Sequence, residues 1–285
     1  MIKHGELENM FSKNEMKPNT KKTFQTSYNR IVNSNLLEQS ITETDNLKLI
    51  EIIKQIADKA ESRNTLITLV VKLKRQADKP ILELEHFRVQ NNTNRMKETQ
   101  ERKTDTKLDN VDLKILLANE ENLYNSKLYV RYIVNYLMNH YGVRNQDVNL
   151  LIIKDKKNIK PNENYLLVYK TKIDYIRDNY KTRDVYGKKI ITIKDKKFIN
   201  AVNGLEKAEN EPLLVTQRGQ ERLSGESQGR VIQDLTYNQL GEGRVFKILI
   251  DEYKYDEKKF DELMNSRGTN KQEIMKYYTI ENLVG

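Results

Sequence analysis

Tyr141-Gly-Val-Arg-Asn-Gln-Asp-Val-Asn-Leu-Leu-Ile-Ile-Lys154 is the stretch around which the rest of this chain can be read. Just before it, Leu128, Ile133, Val134, Leu137 and Met138 recur at helical spacing over a wide arc, which predicts a helix from about Ser126 to His140 buried on more than one side. Gly142 closes that helix, Arg144 sits in the turn behind it, and Asp147 opens the next short helical or extended segment. An arginine in a tight turn between packed elements is held rather than free, and a held guanidinium suits two-pronged recognition of a phosphate. The plainer reading of the same residues is a helix-end ion pair between Arg144 and Asp147.

Downstream the period changes. Tyr165-Leu-Leu-Val-Tyr169, Ile173-Asp-Tyr-Ile176 and Ile190-Ile-Thr-Ile193 are β-branched and aromatic runs bounded by turn residues, and they predict an antiparallel meander. The last two flank Asn179-Tyr-Lys-Thr-Arg-Asp-Val-Tyr-Gly187, a basic hairpin tip. Helical patterns resume at about 195–207, 228–240, 245–253, 256–265 and 270–278, and the polar, glycine-rich Gly219 to Gly229 stretch is expected to be a mobile loop.

Upstream, four short helices are expected. The first is capped by Thr20 and carries Phe24, Tyr28, Ile31 and Val32; the second starts at Asp45 with Leu49, Ile52, Ile53 and Ile56. The third begins near Asn64 with Leu66, Leu69, Val70 and Leu73, and the fourth follows Pro80 with Leu82, Leu84, Phe87 and Val89. Together they predict an all-α domain over residues 16–92, with residues 1–15 frayed. Asn91 to Asp109 offers almost nothing to bury, so it reads as a linker or as the exposed end of the fourth helix, with a boundary near residue 105. A short helix at Val111–Leu117 then opens a second domain over 106–285. The fold class is therefore mostly α with a small antiparallel β-sheet, an all-α domain followed by a mixed α+β one.

The chain has 285 residues, with 50 Lys+Arg against 41 Asp+Glu for a net charge of +9 spread along its length. Such an excess favours a polyanionic partner, and its bland counterpart is a lysine-rich solvated surface. Absence of cysteine excludes disulfides, thiolate metal sites and cysteine nucleophiles. His4, His86 and His140 lie too far apart in sequence to promise an imidazole metal site, so neither metal nor cofactor is expected. No apolar run reaches secretory or membrane-spanning length, and a soluble intracellular protein is expected.

The order of these parts, and four short stretches in particular, resembles the tyrosine recombinase (phage-type integrase) family. Tyr141-Gly-Val-Arg-Asn-Gln-Asp-Val-Asn-Leu150 is similar to the family's first box, Thr-Gly-Leu-Arg followed by Glu and a leucine. That likeness implies Arg144 as the first catalytic arginine and Asp147 as its acidic support. Tyr180-Lys-Thr-Arg-Asp-Val-Tyr-Gly is similar to the hairpin carrying the family's lysine, which implies Lys181, with Lys188 as the fallback. Leu240-Gly-Glu-Gly-Arg-Val-Phe stands in the place of His-x-x-Arg and implies Arg244. Arg267-Gly-Thr-Asn-Lys-Gln-Glu-Ile-Met-Lys-Tyr-Tyr-Thr279 is similar to Leu-Gly-His followed by the nucleophile; with Thr269 in the histidine's place, the family spacing reaches Tyr278.

The resemblance implies a helical core-binding domain and a catalytic domain that clamp duplex DNA, self-association on that DNA, and no metal or membrane. The chemistry it implies is cleavage and rejoining of DNA strands through a 3′-phosphotyrosyl intermediate on Tyr278, with Arg144, Lys181, Arg183 and Arg244 contacting DNA. Two departures stand out: Gly241 and Thr269 occupy the family's two histidine positions, and neither can act as an imidazole. Such variants look like integrase-like proteins of large DNA viruses and mobile elements, which places the expected protein in a host nucleus or cytoplasm, or packaged in a virion. A protein of the same fold that no longer cuts DNA and serves as a DNA-binding or structural virion component is the alternative expectation.

Overall fold

A computed structural model describes residues 5–16, 18–105, 111–216, 221–223 and 227–277. The chain divides into two compact units, Met1–Thr106 and Lys107–Gly285.

Among the described residues five helices build unit 1: α1 (Gly5–Lys13), α2 (Pro18–Val32), α3 (Asn46–Ile56), α4 (Ala60–Gln76) and α5 (Leu82–Asp105). The N-terminal stretch expected to fray is thus partly helical. Leu7 and Met10 anchor α1 in the core, and its Glu6 carboxylate accepts the Thr42 N–H at 2.9 Å and the Ile41 N–H at 3.2 Å. Polar composition alone hid this two-residue apolar foothold. α2 starts at Pro18 rather than at a Thr20 cap, since a first-turn proline gives up an N–H that would have no helical partner anyway. Asp45 does cap α3, accepting the Leu47 N–H at 2.9 Å.

The stretch from Asn91 to Asp105 belongs to α5. Asn91 is fully buried and donates to the Ala60 carbonyl at 2.7 Å, while Asn64 donates to Asn92 Oδ1 at 2.9 Å. Polar side chains bonded across α4 and α5 here take the place of the apolar stripe that a periodicity argument seeks.

Unit 2 opens with α6 (Leu113–Asn125) and α7 (Tyr129–Tyr141), followed by a 3-10 turn at Asn145–Val148. Next come β1 (Leu151–Ile153), β2 (Asn164–Val168), β3 (Ile173–Arg177), α8 (Arg183–Tyr186), β4 (Lys189–Ile193), α9 (Lys196–Asn203) and β5 (Glu211–Pro212). The unit closes with α10 (Ser227–Leu235), α11 (Glu242–Tyr253), α12 (Glu257–Arg267) and α13 (Lys271–Tyr277). Of the mobile loop expected over 219–229, residues 219, 220 and 224–226 lie outside the described residues; 227–229 already belong to α10, and Arg222 is held by Glu163 at 2.6 Å and by the Asn149 side-chain carbonyl at 3.0 Å.

The sheet has the order β4-β3-β2-β1-β5. Strands β2, β3 and β4 form the expected antiparallel meander, with Leu166 opposite Tyr175 and Tyr175 opposite Ile191. The sheet as a whole is mixed, not antiparallel, because β1 adds parallel to β2 and β5 pairs antiparallel with β1. A three-residue strand is too short to show a period, and β1 was therefore silent in the sequence.

Helix α7 occupies the centre of this unit. Its Ile133, Val134, Leu137 and Met138 pack in one core with Phe198 of α9, Phe246 and Leu249 of α11, Leu263 of α12 and the sheet residues Ile152, Leu166 and Tyr175. Ile153, Tyr165, Leu167 and Ile176 cover the other sheet face. Each fully buried side chain of this kind contributes about 1.5–3 kcal/mol, which fixes the frame from which the turn residues project. Among the described residues no helix is long and apolar enough to cross a membrane.

Candidate anion-binding cleft

The end of α7 is set by backbone conformation. Gly142 lies in the left-handed region at φ 58°, and a Cβ there would stand 2.7 Å from Leu263 Cδ1 and 2.8 Å from Phe246 Cδ2. Only glycine lets α7 turn so close to α11 and α12. Two residues on, the Arg144 N–H donates to Asp147 Oδ2 at 3.0 Å, which closes the 3-10 turn and fixes the root of the arginine.

Arg144, Lys181 and Thr269, drawn from three separate stretches, line one cleft of about 560 Å³ together with Arg267, Glu242 and Glu273. Arg144 is half-buried and its Nη1 donates to the Arg267 carbonyl at 2.8 Å. Arg267 answers by donating to the Gly142 carbonyl, stacks over the Phe246 ring at 3.9 Å and faces Glu242 at 3.5 Å. Lys181 is exposed at the rim. Its neighbour Thr182 donates to the Gly268 carbonyl at 2.6 Å, tying the tip to the turn after α12. That turn depends on Gly268 at φ 69°, where a Cβ would come within 2.7 Å of the Tyr180 ring.

Asp147 does not receive the Arg144 guanidinium. Its ion pair is with Arg177, at 2.5 Å, and both side chains are 0 % exposed. Arg177 also donates to the Ser266 carbonyl and lies 4.6 Å from the Tyr180 ring centre. Burial pushes the Asp147 carboxyl above its ordinary range, and the Arg177 guanidinium together with the Arg144 N–H pulls it back. With Asp147 engaged by Arg177, the Arg144 side chain is left facing the cleft.

The remaining expected site residues fall elsewhere. Arg244, in the first turn of α11, is exposed and does not line the cleft; Glu242, two residues earlier on the same helix, does. Arg183 pairs with Asp178 at 3.1 Å. Lys188 lines a neighbouring cavity. Tyr278 lies outside the described residues, one position beyond the end of α13. Gly241 is the N-cap of α11, so no imidazole approaches the cleft from that side.

Two arginines escaped the reading of the sequence. Arg177 ends a strand buried on both faces, and an arginine closing a short run rich in β-branched and aromatic residues was its only signal. Arg267 immediately precedes the left-handed Gly268, the place where a basic side chain meets the last carbonyls of a helix. The cleft thus offers two guanidiniums, each held by a main-chain carbonyl, and the exposed Lys181 ammonium, against two carboxylates. That arrangement can hold a phosphate without a metal. Among the described residues no cluster of acidic and imidazole groups could hold a metal ion. No protein-family model, curated protein or solved structure matches the chain.

Proposed function

We propose that this chain breaks and rejoins DNA strands in the manner of a tyrosine recombinase, with the cleft of unit 2 taking the scissile phosphate. The observation that carries this reading is that Arg144, Lys181 and Thr269, picked from separate stretches by one resemblance, share a cleft. Arg267 supplies the second guanidinium in the role expected of Arg244. In this reading the Tyr278 phenolate attacks the phosphorus and displaces the 5′ oxygen, which takes a proton from Lys181. Arg144 and Arg267 neutralise the charge that builds on the equatorial oxygens. The duplex DNA partner and self-association on it belong to the same proposal.

A second reading is favoured by specific residues: a DNA-binding or structural virion component that grips phosphate without cutting. Gly241 and Thr269 hold the two histidine positions, and Arg244 stands outside the cleft. One experiment separates the two. The protein is incubated with a nicked suicide duplex and resolved under denaturing conditions. Strand cleavage gives a covalent adduct that Tyr278→Phe abolishes and Tyr277→Phe preserves. Duplex binding with no adduct from the parent chain refutes cleavage and leaves the second reading.

A further inference from the structure

Unit 2 holds a second cavity, of about 660 Å³, that shares Tyr186 with the arginine cleft and is otherwise separate from it. One wall comes from α8, β4 and the residues between them; the other comes from the end of α11 and from α12. Each wall carries the same pair. Lys189 Nζ lies 5.4 Å from the centre of the Tyr186 ring, and Lys259 Nζ lies 5.7 Å from the centre of the Tyr253 ring. Lys188 adds a third ammonium, against Glu262 as the lining carboxylate.

These cations are only partly engaged by carboxylates. Among the described residues no carboxylate pairs with Lys188 or Lys189; Lys189 donates instead to the Asn265 side-chain carbonyl at 2.6 Å. Lys259 has a local partner in Asp256 at 3.3 Å. Burial, and then the nearby Arg177, push the Lys189 ammonium below its ordinary pKa, so an anion beside it would supply charge that solvent does not. The volume falls within the range of small-ligand sites. Lysines alone would mark an inorganic anion, and tyrosine rings alone an apolar ligand. Alternation of the two on facing walls fits a ligand that is both planar and multiply charged, since a base stacks on an aromatic face while its phosphates meet ammonium groups.

We propose that this cavity binds a nucleotide, its base against Tyr253 and Tyr186 and its phosphate on Lys188, Lys189 and Lys259. Such a group can come from a free nucleoside triphosphate or from an unpaired nucleotide in a DNA strand. The site does not depend on strand cleavage in the neighbouring cleft.

The test uses the full chain with two pairs of probes. ATP is titrated against inorganic tripolyphosphate by calorimetry, and a duplex with one unpaired 2-aminopurine is titrated against its fully paired counterpart by fluorescence. A free-nucleotide site gives ATP an advantage of about tenfold or more over tripolyphosphate. A strand-nucleotide site gives the unpaired duplex the same advantage, with quenched 2-aminopurine emission. In either case Tyr253→Leu removes the advantage, and Lys188→Gln combined with Lys259→Gln, both exposed positions, weakens the preferred probe about tenfold. If Tyr253→Leu does not fold, the double lysine variant decides alone. Equal binding within both probe pairs, or a preference untouched by these variants, overturns the proposal. Loss of all duplex binding with ATP still bound overturns the strand-cleavage reading and leaves this one standing.

Discussion

Replacing Asp147 by alanine removes, among the described residues, the only carboxylate paired with a guanidinium that has no access to water. The two side chains are 0 % exposed and meet at 2.5 Å, so Asp147→Ala leaves Arg177 with the Ser266 carbonyl and the Tyr175 and Tyr180 rings but no carboxylate. Breaking a buried pair from one side costs about 3–5 kcal/mol. The Arg144 N–H, which donates to the same carboxylate at 3.0 Å, loses its partner as well and adds about 1 kcal/mol. In a unit of this size each kcal/mol lowers the melting temperature by about 2–4 °C, so a fall on the order of 10 °C or more is expected. Near-UV circular dichroism is the suitable assay: Tyr28 is the one tyrosine among the first 106 residues of a chain holding 16, so the signal comes almost wholly from unit 2. Asp147→Leu combined with Arg177→Met removes both charges and should melt closer to the parent than Asp147→Ala does, because desolvation offsets much of the pair's attraction. A single variant melting within about 2 °C of the parent would refute the reasoning, as would a double variant less stable than the single one.

Gly142→Ala should destabilise unit 2 by about 2–5 kcal/mol in thermal melts, since it combines a left-handed backbone with contacts of 2.7 and 2.8 Å to Leu263 and Phe246. Arg144→Ala should weaken duplex binding or cleavage by about two orders of magnitude or more, whereas Arg244→Ala should change it less than about tenfold, in parallel nitrocellulose and adduct assays. Equal losses would return Arg244 to the site. Duplex affinity should fall roughly tenfold or more between about 50 and 200 mM salt, measured by fluorescence anisotropy. Burial, then the Glu6 carboxylate, push the Tyr28 phenol up to about 12 from 10.0, above its unfolded value. Its contribution is therefore fully present below about pH 10 and lost as pH rises through about 12; Tyr28→Phe should remove up to about 3 kcal/mol of alkaline destabilisation in pH-dependent urea melts.

Much of the fold was legible where an apolar period ran long enough. α3 with its Asp45 cap, α7 with its closing glycine and the β2-β3-β4 meander all follow from spacing and turn residues. What escaped was carried by polar pairing or by very short elements. The Asn91 and Asn64 bonds keep α5 helical where apolar residues run out, Glu6 docks α1, and β1 is only three residues long. At the cleft, Arg144 could be singled out because it sits in the turn behind a helix-closing glycine, whereas Lys181 was implied by the resemblance of its hairpin. Arg177 could not, since its significance lies in meeting Asp147, thirty positions away in the chain. The expected Arg144–Asp147 pairing chose the nearer arginine; the fold gave the carboxylate to the more deeply buried one. The exposed Arg244 shows the limit of register arguments on a helix, where a shift of two positions moves a side chain to the opposite face.

Three successive carbonyls at the end of α12 are each met by a side chain from a different part of unit 2: Ser266 by Arg177, Arg267 by Arg144 and Gly268 by Thr182. Every acceptor in this clamp is a main-chain atom, present whatever side chain the position bears. Genetic change therefore meets an asymmetric surface. Substitutions at Ser266 leave its acceptor intact, while substitution of any of the three donors removes a contact that nothing on the acceptor side can restore. A saturation screen of unit 2 should accordingly return second-site suppressors for losses at Asp147 or Arg177, where neutralising the other partner removes an orphaned charge, more readily than for losses at Arg144 or Thr182.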